Sequence, residues 1–127
     1  MITTIDMFMG AWMRNKSTGD YVQVISEAIW QEAQKQCEPI PITTPVLKKL
    51  GFVRNGAASY LYVGTFTISM IHFNSQKHQL LIFGSDRTYQ PMLNIDIRYF
   101  HHLQLAFILC GVDIPIDLNS GNRTWQH

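Results

Sequence analysis

Residues 60–83 read YLYVGTFTISMIHFNSQKHQLLIF, three apolar, β-rich runs separated by two short polar breaks. The runs are residues 60–63, 66–73 and 78–83; the breaks are Gly64-Thr65 and Asn74-Ser75-Gln76-Lys77. Tyr, Phe, Ile, Val and Thr dominate them, and Gly, Asn and Ser supply the turns, so the stretch predicts an antiparallel meander. With these loops Val63 faces Phe66 and Phe73 faces His78. Side chains alternate between faces, which assigns Leu61, Val63, Phe66, Ile68, Met70, Leu81 and Phe83 to a core face. Tyr60, Tyr62, Thr67, Ser69, Ile71, Phe73, Leu80 and Ile82 then form a mixed second face.

Upstream, residues 8–13 and 21–25 are strand-like and flank Asn15-Lys16-Ser17-Thr18-Gly19, which predicts a hairpin. Ser26 is placed to cap a helix over residues 27–36, with Ile29, Trp30 and Ala33 as its apolar stripe. Pro39-Ile40-Pro41-Ile42 must be extended, because each proline excludes its predecessor from the helical region. Thr44-Pro45 reads as an N-cap followed by a first-turn proline, with Gly51 closing a short helix. Downstream, Gly84-Ser85-Asp86-Arg87 breaks the sheet, and residues 89–92 are irregular or a short edge strand. A last helix is expected from about Asp96 to Cys110, ended by Gly111. Its Phe100, Leu103, Phe107 and Cys110 form one stripe, but Leu105, Ile108 and Leu109 cover most of the rest. A helix apolar on nearly every side needs cover from a second layer or a partner chain. The whole is an α+β domain over residues 1–119: a meander, an N-terminal hairpin, two short helices and a buried C-terminal helix, with residues 120–127 a flexible tail.

The 127 residues carry 10 Lys and Arg against 9 Asp and Glu, divided evenly along the chain. Phosphate backbones select for a basic face, so this balance argues against a nucleic-acid binder. No apolar run reaches the ~18 residues of a membrane span, and no signal-type N-terminal segment is present, which points to the cytoplasm. Cys37 and Cys110 are distant and read as reduced thiols.

No residue pattern implies a metal or a cofactor. His101 and His102 are adjacent, hence about 100° apart on a helix, and poorly placed to share one ion. His72 and His78 flank the expected turn but point to opposite faces in the register above, so each reads as structural or solvated. No serine or cysteine is paired with a base in sequence, and no glycine-rich loop can cradle a phosphate. Asp113 and Asp117 alternate with Ile114 and Ile116 as in a surface strand. The candidate binding residues are His101 and Gln104, which share a helical face next to Arg98, together with Tyr60 and Tyr62. The first pair either forms a binding cluster or anchors the helix to a neighbouring loop; an enzyme centred on His101 is the further alternative. The tyrosines either stack unpaired bases, with Arg54, Lys77 or Arg87 as supporting cations, or are covered by Phe8, Trp12 or Trp30 from the N-terminal elements.

Two segments resemble a group of small uncharacterised proteins from phages, prophages and mobile elements of Bacteroides-like bacteria. Glu38-Pro39-Ile40-Pro41-Ile42-Thr43 through Leu47 and Gly51-Phe52 is similar to that group's E-P-I-P-L-T-x-x-x-L-x-x-x-G-F. Tyr99-Phe100-His101-His102-Leu103-Gln104 is similar to its Y-L-H-x-L-Q. A weaker likeness covers Met9-Gly10-Ala11-Trp12 and Gly19-Asp20-Tyr21-Val22. The chain departs at Leu105, where the group has Asn, and at Cys110-Gly111-Val112-Asp113. The resemblance implies a mobile-element context, one α+β domain and no known reaction. The helix apolar on nearly every side and the absence of a catalytic grouping make a non-catalytic module that binds a protein partner or itself the leading expectation, with a small nucleic-acid binder and an enzyme centred on His101 as the alternatives.

Overall fold

The structure, a computed structural model, describes residues 8, 10–84 and 90–119. The tail expected over residues 120–127, and Arg87, lie outside them. The α+β architecture is as expected: the described residues form antiparallel sheets of three and five strands with three helices.

The smaller sheet is built from β1 (Trp12–Asn15), β2 (Tyr21–Gln23) and β3 (Cys37–Glu38), in the order β2-β1-β3. Asn15 Oδ1 accepts from the backbone N–H groups of Ser17 (2.8 Å) and Thr18 (3.1 Å), which turns the chain between β1 and β2. α1 (Glu27–Gln36) starts at Ser26, whose hydroxyl accepts from Ile29 N. Ala33 joins Ala11, Met13, Val24 and Cys37 in a small core, with Phe8, Val22 and Trp30 packed against it.

α2 (Thr44–Lys48) begins one residue earlier than expected. Thr43, in extended backbone, is its cap, its Oγ1 accepting from Val46 N at 3.4 Å. Pro45 is tolerated one position further in because the first turn leaves its N–H groups unpaired anyway. Gly51 follows at φ +101°, a conformation that favours glycine.

The larger sheet runs in chain order: β4 (Val53–Asn55), β5 (Ala58–Val63), β6 (Phe66–Asn74), β7 (Lys77–Phe83) and β8 (Leu93–Ile97). Val63 pairs with Phe66 as expected. The β6–β7 register does not follow expectation. His72 pairs with His78 and Asn74 with Lys77, leaving Phe73 as an extra residue on β6. This β-bulge inverts β7 relative to the simple hairpin. Leu80 and Ile82 lie opposite Met70 and Ile68 in the core, whereas Leu81 and Phe83 share the other face with Ser69 and Thr67. The sequence carried a signal for this: a core-facing Leu81 and Phe83 would also turn Lys77 and Gln79 inward.

The last helix also starts later than expected. Leu93, Ile95 and Ile97 alternate as a strand, and α3 (Phe100–Cys110) begins only after Tyr99, which is extended at φ −123° and ψ 158°. Tyr99 N–H donates to His102 Nδ1 at 3.3 Å, one half of a capping box. Gly111 closes the helix in the left-handed region at φ +75°. Phe100, Leu103, Ala106 and Phe107 pack onto Leu61, Ile68, Met70, Leu80 and Ile82. The segment after α3 is irregular rather than a strand, with Val112 and Leu118 buried in the same core.

The bulge yields a direct test. Leu80→Ala removes a fully buried side chain and costs about 2–5 kcal/mol, while Leu81→Ala, half-buried on the far face, costs under about 2 kcal/mol. Urea denaturation of the two variants measures the difference, and a larger loss at Leu81 contradicts the register.

Candidate functional site

The five candidate residues do not converge. α3 packs on one face of the large sheet, and Tyr60 and Tyr62 belong to the other. Gln104 is buried and bridges α3 to the N-terminal hairpin. Its Oε1 accepts from Trp12 N at 2.8 Å and its Nε2 donates to Gly10 O at 3.1 Å. His101 is 2% exposed, and its ring stacks near Tyr99 at 6.0 Å, so it presents no open face to solvent. Arg98 precedes the helix and is exposed, its guanidinium 5.0 Å from the centre of the Tyr99 ring. The geometry around Gln104 is that of an anchor.

The tyrosine face is not covered as expected. Trp12 belongs to the main core, Phe8 and Trp30 pack on the small one, and Tyr62 is 72% exposed. Arg54, a proposed supporting cation, turns instead toward Gly56 O and Thr44 Oγ1.

A second polar constellation was hidden in the sequence by the bulge. His72 and His78 are cross-strand partners on one face, with their Nδ1 atoms 2.7 Å apart. His72 Nε2 lies 2.8 Å from Ser59 Oγ on β5. The hydroxyl–imidazole–imidazole row has the connectivity of a nucleophile and its base, but Ser59 is 1% exposed, and a nucleophile needs access to substrate. Burial pushes His72 down to about 4, with Arg54 and His78 adding to the shift, and burial likewise lowers His78. Beside the pair lies a recess of about 330 Å³ reached by Arg54, Thr43 and Thr44.

The third feature is apolar. α3 carries no Asp, Glu, Lys or Arg. Its side away from the core exposes Leu105, Ile108 (63%) and Leu109 (71%), and Ile95 of β8 continues the patch. A shallow groove between Ile95, Ile97, Leu105 and Leu109 joins the two elements. β8 is the outer strand of its sheet, so its outer edge is unpaired over Leu93–Ile97 among the described strands.

Both cysteines are free, and burial raises their thiols, which reduces the thiolate available for chemistry. Among the described residues no group of three or more His, Cys, Asp or Glu side chains could hold a metal ion, and no helix is long and apolar enough to cross a membrane. Comparison with protein-family models, curated proteins and solved structures gives no match.

Two outcomes are expected. Gln104→Ala strips the buried Trp12 N–H of its partner and costs about 1–3 kcal/mol in urea unfolding, Gly10 O keeping Gln23 as a donor; a loss near zero contradicts the anchor. His72 titrates near 6.5 in the unfolded chain and about 4 in the folded one, so the unfolded chain holds the extra proton between those values. This contribution to stability is complete above pH 6.5 and is lost progressively as pH falls toward 4. The slope of stability against pH between 6.5 and 5 should be shallower in His72→Gln than in the parent.

Proposed function

We propose that this protein is a non-catalytic, cytoplasmic interaction module of phage or mobile-element type that associates with a second copy of itself through the α3–β8 face. The observation that carries the reading is the charge-free helix side at Ile108 and Leu109, continuous with Ile95 on a sheet edge that is unpaired among the described strands. Exposed helix sides are ordinarily polar, and contiguous apolar surface of this kind marks contact sites. A two-fold contact requires a self-complementary surface, in which residue i meets j and j meets i. Asp96 and Arg98, both exposed beside the patch, offer one charge of each sign, so each can meet its opposite in the second copy. Burial of the β8 edge in the same contact would also satisfy backbone groups that otherwise invite non-specific pairing.

Sedimentation equilibrium tests the proposal. The parent should sediment as a dimer at micromolar concentration, and Leu109→Asp should give a monomer with an unchanged urea midpoint, since Leu109 makes no part of the core. A parent that stays monomeric at the highest attainable concentration overturns it. The exposure of Tyr62 favours a second reading, a nucleic-acid binder using the Tyr60–Tyr62 face; a monomeric parent that is retained on filters with single-stranded nucleic acid at low salt would move the function there.

A further inference from the structure

The recess beside the histidine pair lies apart from the α3–β8 face and has a different chemistry. Thr43, Thr44, Arg54, His72, Asn74 and His78 contribute its polar walls, and among the described residues no Asp or Glu lines it. Arg54 is held from two sides. Its Nε donates to Gly56 O at 2.8 Å and its Nη1 to Thr44 Oγ1 at 3.0 Å, which leaves Nη2 uncommitted among the described residues. His78 is 3% exposed; its Nε2 is buried without a hydrogen-bond partner of ordinary geometry among the described residues, while the Ser75 backbone beside the ring favours its protonated form. Two imidazoles this close suggest a metal at first sight. Arg54 argues the other way, because its positive charge disfavours a cation at the pair, and the two Nδ1 atoms already bond to each other.

We propose that this recess binds a small oxyanion of the phosphate or carboxylate class, with Arg54 supplying the charge and the histidine pair a proton-responsive wall. The pair has two neutral arrangements. In one, His78 Nδ1–H donates to His72 Nδ1, His72 Nε2–H donates to Ser59 Oγ, and His78 Nε2 is bare. In the other, the Ser59 hydroxyl donates to His72 Nε2, His72 Nδ1–H donates to His78 Nδ1, and the remaining proton sits on His78 Nε2. The proton count is the same in both. An anion in the recess acts on the pair through its charge rather than by contact with the buried His78 Nε2, and so favours proton uptake. Uptake of one more proton by the pair satisfies both Nε2 positions with hydrogen and adds positive charge. The groups that face this titration are Arg54 from β4, Ser59 from β5, the Thr43 and Thr44 hydroxyls before and in α2, and the Ser75 backbone in the β6–β7 turn. All but Arg54 are uncharged, so anion affinity should rise as pH falls.

The test is an NMR titration of the full chain at low ionic strength with inorganic sulfate, whose charge is constant over the range, and separately with acetate. Sulfate stands for the phosphate-type source and acetate for the carboxylate. The expected result is a saturable shift of the His72 and His78 ring nitrogens, with His78 Nε2 moving toward its protonated position and affinity rising from pH 7 to pH 5. Arg54→Gln, at an exposed position, should fold normally and bind roughly tenfold or more weakly, while Lys77→Gln should bind as the parent does. Preference for one probe identifies the source. Ring resonances that fail to move with either anion, or that move equally in Arg54→Gln, overturn the proposal.

Discussion

The extra residue at Phe73 is the constraint on which the rest of the large sheet depends. A strand presents alternate side chains to opposite faces, so one inserted residue decides which half of the next strand is buried. With Phe73 bulged, Leu80 and Ile82 complete a layer begun by Ile68 and Met70, and α3 has an apolar floor to pack on. The same insertion turns His72 and His78 toward each other. A core and a part-buried polar pair thus come from one local irregularity. The pair occupies the margin of the core, where Ser59 satisfies one ring nitrogen and the recess borders the other ring. Neutral imidazoles tolerate such a place because burial penalises the charged form.

Elements whose signals are local were legible in the sequence. Ser26 before an amphipathic run gave α1, Asn15 and Gly19 gave the first hairpin, and the turn at Gly64 gave the β5–β6 register. What was not legible depended on non-local choices. Thr43 and Thr44 are equally good caps by residue type, and the helix that buries Val46 and Leu47 uses Thr43. Residues 93–97 fit either a strand or the first turn of a helix, and pairing with β7 decides the matter. The histidine pair required the bulge. The polar character of Lys77 and Gln79 was the one clue to it, and the unbroken apolar run from Leu80 to Phe83 masked that clue. The apolar excess of α3, by contrast, was plain from composition alone, and the structure locates it on Leu105, Ile108 and Leu109.

The proline-rich segment at residues 38–43 and the start of α3 at residues 99–104 are neighbours in space. Phe100 N donates to Ile40 O at 2.8 Å, and Pro41 bridges to Tyr99. Proline-enforced extension at residues 39–42 therefore provides the straight backbone against which the start of α3 is set. This junction orients the helix across the sheet, and the orientation leaves its charge-free side outward beside β8. Leu105 sits on that side. The helix is apolar on its outward side as well as on its core side, which is why its sequence has little amphipathic contrast.

The bond between Gln104 and Trp12 spans 92 positions of the chain. On the ribosome, at roughly 5–20 residues per second, on the order of 5–20 s separates the emergence of its two ends. During that interval the first hairpin has its own turn and its pairing to β3, but no glutamine to receive its Trp12 N–H. Contacts this distant in sequence also carry the largest loop-closure penalty, so their formation comes late in the order of assembly. The first strand made is therefore among the last to be locked in place, and the side-chain amide of one glutamine acts as the latch.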